Sequence, residues 1–184
     1  MTPIIGITAS SITASTLGDF ESIATVTVTS ATQASIEFTN IPSTYQHLQI
    51  RGIMRNNDNT NASTFIQLNS DTGNNYSNHG LSGDGASAIS YALTNDGSSA
   101  IAINATPNYG SNIFGAAIYN LLEYKNTNVY KTIRCLTGAD NNGSGIVRFT
   151  SGSWRNTNAV TSILIKPAAG SWVTNSTFAL YGIR

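Results

Sequence analysis

The sequence predicts an all-β protein: an antiparallel β-sandwich, jelly-roll-like, preceded by an extended N-terminal arm. Three observations lead there. Short segments rich in β-branched and aromatic residues recur along the chain, separated at intervals of roughly ten residues by clusters of Asn, Asp and Gly, the rhythm of a sandwich or barrel. Serine, threonine and asparagine supply about a third of the 184 residues, whereas lysine and glutamate, the usual material of solvated helices, are scarce. A single domain of this length buries roughly 70% of the surface its unfolded chain exposes, which is enough to build a core between two sheets.

Residues 1–20 read as the arm. They hold one proline, two glycines, scattered isoleucines and small hydroxyl residues, with neither helical period nor sustained alternation. Ile4, Ile5, Ile7 and Ile12 have no lysine or glutamate beside them to keep them solvated, so they are expected to dock on a neighbouring subunit, as a strand added to its sheet edge. Residues 21–184 form the sandwich domain.

Eleven strands are expected, at "SIATVTVT" from Ser22, "ASIEFT" from Ala34, "HLQIRGIMR" from His47, "TFIQLN" from Thr64, "AISYAL" from Ala88, "AIAIN" from Ala100, "NIFGAAIYNLLEY" from Asn112, "VYKTIRCLT" from Val129, "GIVRFTSGSW" from Gly145, "SILIKP" from Ser162 and "TFALYGI" from Thr177. Alternation sets their faces. In the third, Leu48, Ile50 and Met54 point one way and His47, Gln49, Arg51 and Arg55 the other; Ala34, Ile36 and Phe38 repeat the pattern. In the segment from Asn112 to Tyr124, Phe114, Ala117, Ile118, Leu121 and Leu122 also fit a helical stripe. Gly115 and the surrounding β context favour strand.

Nine acidic and nine basic residues make up 10% of the chain and cancel, so no long-range field gathers phosphates, acidic substrates or anionic lipid. Nucleic acid and membrane are not expected partners. Cys135 is the single cysteine, which excludes an internal disulfide and a cysteine-rich metal site. No lysine or arginine precedes Arg51, so the apolar start lacks the charged region of a signal peptide, and its apolar run is too short to cross a bilayer.

The stretch "NSDTGNNYSNHGLSGDG", Asn69 to Gly85, carries the densest set of candidate ligands. A twelve-residue calcium loop needs glycine at its sixth position and glutamate at its twelfth. Counted from Asp71 those positions hold Tyr76 and Ser82, which leaves only a looser oxygen cage of Asp71, Asn75 and Asp84. The bland reading is stronger: Asp-x-Gly and Ser-Gly-Asp-Gly are turn formers. No metal or other cofactor is expected.

Nucleophilic catalysis needs a base beside a serine or cysteine. Only His47 and His79 are available, no Gly-x-Ser-x-Gly elbow follows a strand, and Cys135 reads as a buried small hydrophobe. Glu123, beside Tyr124 in an apolar segment, is the carboxylate expected to be partly buried, bonded to Lys125, Lys131 or an arginine. Trp154 and Trp172 sit in two echoes, "SGSWR" and "AGSWV", where an indole either stacks on a sugar ring or packs at a sheet corner. No catalytic site is expected.

Read together and in order, "PIIGI", "FESIATVTV", "IPSTYQHLQIRG", "FIQLNSDTGNNYS", "SGSWR" followed by "AVTSI", and "STFALYGI" resemble a group of small β-rich virion structural proteins of tailed bacteriophages. The resemblance covers nearly the whole chain. It implies a β-sandwich, often a homotrimer, serving as a head decoration or cement protein, a head fibre or part of a tail fibre, and it implies no catalytic residues. The absence of a collagen-like or heptad stalk favours a compact knob. The function expected is therefore a non-enzymatic structural component of the virion, a capsid decoration, cement or head-fibre protein that is assembled in the host cytoplasm and packs as an oligomer. Its partners would be copies of itself and the major capsid protein or a tail component. The alternative is a tail-associated carbohydrate-binding module that recognises host surface glycans through Trp154 and Trp172.

Overall fold

The computed structural model describes residues 19–30, 32–60 and 62–184. Ile4, Ile5, Ile7 and Ile12 of the expected arm lie outside the described residues. Twelve strands follow in order: β1 (Phe20–Thr27), β2 (Ile36–Phe38), β3 (His47–Met54), β4 (Ser63–Leu68), β5 (Tyr76–Gly83), β6 (Ala88–Asp96), β7 (Ser99–Ile103), β8 (Gly115–Leu122), β9 (Lys131–Asp140), β10 (Gly145–Trp154), β11 (Ile163–Pro167) and β12 (Thr177–Ile183).

They form two antiparallel sheets packed as a sandwich, an eight-stranded one in the order β1-β12-β3-β8-β9-β10-β5-β6 and a four-stranded one in the order β2-β11-β4-β7. The chain changes sheet at every connection except β5 to β6, β8 to β9 and β9 to β10. Eight of the strands, β1-β12-β3-β8 and β2-β11-β4-β7, follow the two-sheet order of a jelly roll, and β9, β10, β5 and β6 extend the large sheet beyond β8.

Period-two alternation builds the core. Leu48, Ile50 and Met54 of β3, Ala117, Tyr119 and Leu121 of β8, and Ile133 and Cys135 of β9 point inward from the large sheet. Ile36, Phe38, Ile66, Leu68, Ile163 and Ile165 meet them from the small sheet. Each buried Leu, Ile, Met or Phe among them contributes about 1.5–3 kcal/mol by leaving water. The segment from Asn112 to Tyr124 resolves as a strand over Gly115–Leu122, so the helical stripe is not used.

Four expectations need correction. Arg55 does not follow the polar side of β3: the strand ends at Met54, and Arg55 turns inward, where its guanidinium donates to the carbonyls of Gly110 and Ile113 at 2.8 Å each. Ala34 lies before β2 and is exposed. The first strand starts at Phe20, before the expected Ser22. The fourth is a twelfth strand, β5, which runs through the segment read as turns. Its composition argues against it, because Gly80, Asn78 and Gly83 all disfavour strand. Tertiary packing supplies the reason. The Tyr91 ring of β6 lies over Gly80, leaving no room for a Cβ, and its hydroxyl is 2.9 Å from that of Thr150 on β10.

Tyr45 covers Gly182 of β12 in the same manner, and a Cβ at that glycine would collide with the ring. Gly182→Ala should cost about 1–3 kcal/mol through overpacking. A urea-unfolding midpoint equal to that of the parent chain would contradict it.

Candidate functional site

The side chains singled out in the sequence are mostly dispersed by the fold. Asp71 and Asn75 meet in the turn before β5, where the Asn75 amide donates to the Asp71 carboxylate at 2.9 Å. Asp84 sits beyond the other end of β5 and accepts from the backbone N–H groups of Ala86 and Ser87, so the three cannot share an ion. Among the described residues, no three His, Cys, Asp or Glu side chains converge in a metal-ligating group. His79 projects from the exposed face of β5 opposite Ser151, while on the same face, four strands away, the His47 Nδ1 accepts the Glu123 N–H at 3.1 Å. Burial pushes the Cys135 thiol far above the usual range, which keeps it protonated and unreactive.

Glu123 does not bond lysine or arginine. It occupies a positive-φ turn position after β8 and accepts from Gln46 at 2.9 Å and from Asn126, bonds that hold its carboxyl below the usual range. Lys131 instead is buried and donates to the carbonyls of Asn126, Val129 and Thr157.

Trp154 and Trp172 are 1% and 0% exposed, so neither offers a ring face to a sugar. Both are core residues. Trp172 packs on Phe178 with centroids 5.1 Å apart. Trp154 stacks with Tyr76, and its indole N–H donates to the Asp71 carboxylate at 2.7 Å. The Tyr76 hydroxyl accepts the Leu68 N–H at 2.8 Å, and burial pushes that phenol up to about 12. The aspartate-rich turn is thus an anchor for an aromatic corner.

The feature that composition hides is on the outer face of the eight-stranded sheet. Register places Arg51, Ile118, Leu136, Phe149 and Leu81 side by side in one row across β3, β8, β9, β10 and β5. One pleat further along, Ile53, Ala116, Gly138, Val147 and Gly83 form a second row. Ile53, Ile118, Leu136, Val147, Phe149 and Leu81 are all exposed, at 41–57%. Arg51 is drawn off toward the β1 edge, its guanidinium over the rings of Phe20 and Tyr181 at 5.5 and 5.2 Å. What remains is an apolar band crossing the strands, with a concavity of about 590 Å³ floored by Ala116 and Gly138 between Ile53, Ile118, Leu136 and Val147.

The other half of the same face is polar. Gln49, Asn120, Arg134, Ser151 and His79 form the neighbouring row, and the Gln49 amide donates to Asn120 at 2.9 Å. The band is therefore a bounded patch, of the kind that marks a contact surface in a folded chain. Comparison of the chain with protein-family models, curated proteins and solved structures returned no match.

Burial alone would raise the Asp71 carboxyl, but the bonds from Trp154, Asn75 and the Gly73 N–H outweigh it and hold its pKa below the usual value. The stability that this depression contributes is present above the unfolded-state pKa and is lost as pH falls through the folded one. Asp71→Asn should cost about 1–3 kcal/mol at pH 7. The difference from the parent should shrink as pH falls below the unfolded-state value of about 4 and on through the lower folded-state pKa, beneath which both side chains are neutral. Urea titrations of the two proteins across pH 2.5–7 check this; a gap that is independent of pH would contradict it.

Proposed function

We propose that this chain is a non-enzymatic structural component of a bacteriophage virion, a capsid decoration, cement or head-fibre protein that packs with copies of itself. The observation that carries the packing half is the apolar band, left in water by a single copy of a chain whose formal net charge is zero and which has little charge repulsion to oppose association. The virion half rests on the ordered sequence blocks that resemble phage structural proteins. A buried thiol, dispersed carboxylates and histidines, and cations used to cap backbone carbonyls are consistent with a scaffold role. The glycan-binding reading loses its two indoles, because both are in the core.

Purified virions whose genome encodes this chain should contain it in many copies at a repeated position on the capsid or tail, seen by mass spectrometry and by imaging of intact particles. The isolated chain should sediment as an oligomer at micromolar concentration. Absence from purified particles, with the chain abundant in the lysate, would overturn the virion assignment.

A further inference from the structure

We infer that the apolar band on the outer face of the large sheet is the receptor for residues 1–18 of a neighbouring copy of this chain. This rests on the self-packing reading and names what fills the surface.

The occupant is argued from the chain that precedes β1 and from the place where it joins the fold. Residues 1–18 contain no Asp, Glu, Lys or Arg and carry Ile4, Ile5, Ile7, Ile12 and Leu17, so their side chains match a receptor that is apolar apart from Arg51 at its β3 end. Eighteen residues extend to roughly 60 Å at most. The band spans the four inter-strand steps from β3 to β5, roughly 19 Å, so the segment is long enough to cross it and still leave a connection. Branched aliphatic side chains also suit the concavity, where Ile53, Ile118, Leu136 and Val147 stand around the small residues Ala116 and Gly138, with Arg51 and Thr177 toward β12.

Direction selects the neighbour over the chain's own sheet. β1 starts at Phe20, opposite Ile183 and one strand from His47, at the polar end of the face, and runs toward Thr27 at the end where the band lies. The chain before Phe20 therefore meets the sheet at the end away from its own band. To reach that band it would have to reverse at Gly18 and Asp19 and recross the polar half, where Gln49, Asn120 and Arg134 offer its isoleucines nothing. A second copy presents the same band without that reversal. Reciprocal exchange among copies would also raise the effective concentration of each segment.

The test uses full-length chains. One chain carrying Ile5→Cys is co-expressed with a differently tagged chain carrying Leu136→Cys, and a short thiol-reactive bismaleimide is added; Cys135 is buried and serves as the internal unreactive control. A linked peptide joining position 5 of one chain to position 136 of the other is expected, at least about tenfold more abundant than the link to Ser151→Cys in the polar half. Leu136→Asp should weaken self-association by about tenfold or more, as expected for losing one buried leucine, while Ser151→Asp changes it little. Because Leu136 is more than half exposed, the melting temperature of Leu136→Asp should match the parent's at a dilution where both are monomeric, which separates a docking defect from a folding one. Three results would overturn the inference: no link between the two chains while a chain carrying both Ile5→Cys and Leu136→Cys links within itself, equal linking to positions 136 and 151, or links between position 136 of two copies with position 5 unreacted. In the second and third, oligomers persist, so the self-packing reading stands. Parent chains that stay monomeric at millimolar concentration would remove both.

Discussion

Side chains of a strand fall alternately on its two faces, and across the six strands between the edges β1 and β6 that rule commits one face of the large sheet to the core. The other features are consequences. The four-stranded sheet can cover only one side of its partner, so the outer side must satisfy water with whatever residues alternation leaves there. Half of it does so with Gln49, Asn120, Arg134, Ser151 and His79. The other half presents aliphatic and aromatic side chains on those same five strands. Because both halves lie on the same strands, the contrast reflects the placement of residues along each strand and not a local failure of packing.

A chain with few charges spends several of them inside. Lys131 closes three carbonyls between the β8–β9 connection and the segment after β10, and Arg55 closes others between the end of β3 and the segment before β8. Asp71 holds an indole in place. Burial lowers the pKa of the Lys131 ammonium, and removing it would leave three carbonyls without a partner, which is the costlier outcome. These charges fasten connections to the sandwich, and they are consequently unavailable for recognition at the surface. The recognition surface that remains is apolar.

Much of the fold was legible from alternation. Leu48, Ile50 and Met54 point inward as their spacing requires, Ile36 and Phe38 likewise, and Cys135 is buried in β9. Gly115–Leu122 is a strand because its neighbours on both sides are strands, despite its helical stripe. The misreadings share a cause. Residues in β5 look like turn formers locally, and only the pairing with β10 and β6 and the ring of Tyr91 over Gly80 make them a strand. Trp154 ends β10 and Trp172 lies in the connection between β11 and β12, where exposure is the ordinary expectation, yet Tyr76 packs on the one and Phe178 on the other.

The sequence by itself determined the class: a neutral, hydroxyl-rich chain of short alternating segments has no helical route to a core, and its spacing of turn residues leaves a sandwich as the way to bury its aliphatic positions. Only the tertiary structure decided which exposed residues act together. Ile118, Leu136, Phe149 and Leu81 lie on four separate strands, and nothing local relates them. Register between β8, β9, β10 and β5 is set by turn geometry, by burial of the opposite face and by the long return that brings β5 beside β10. A slip of one residue in any of these pairings would turn the strand's apolar positions to the other face and break the band.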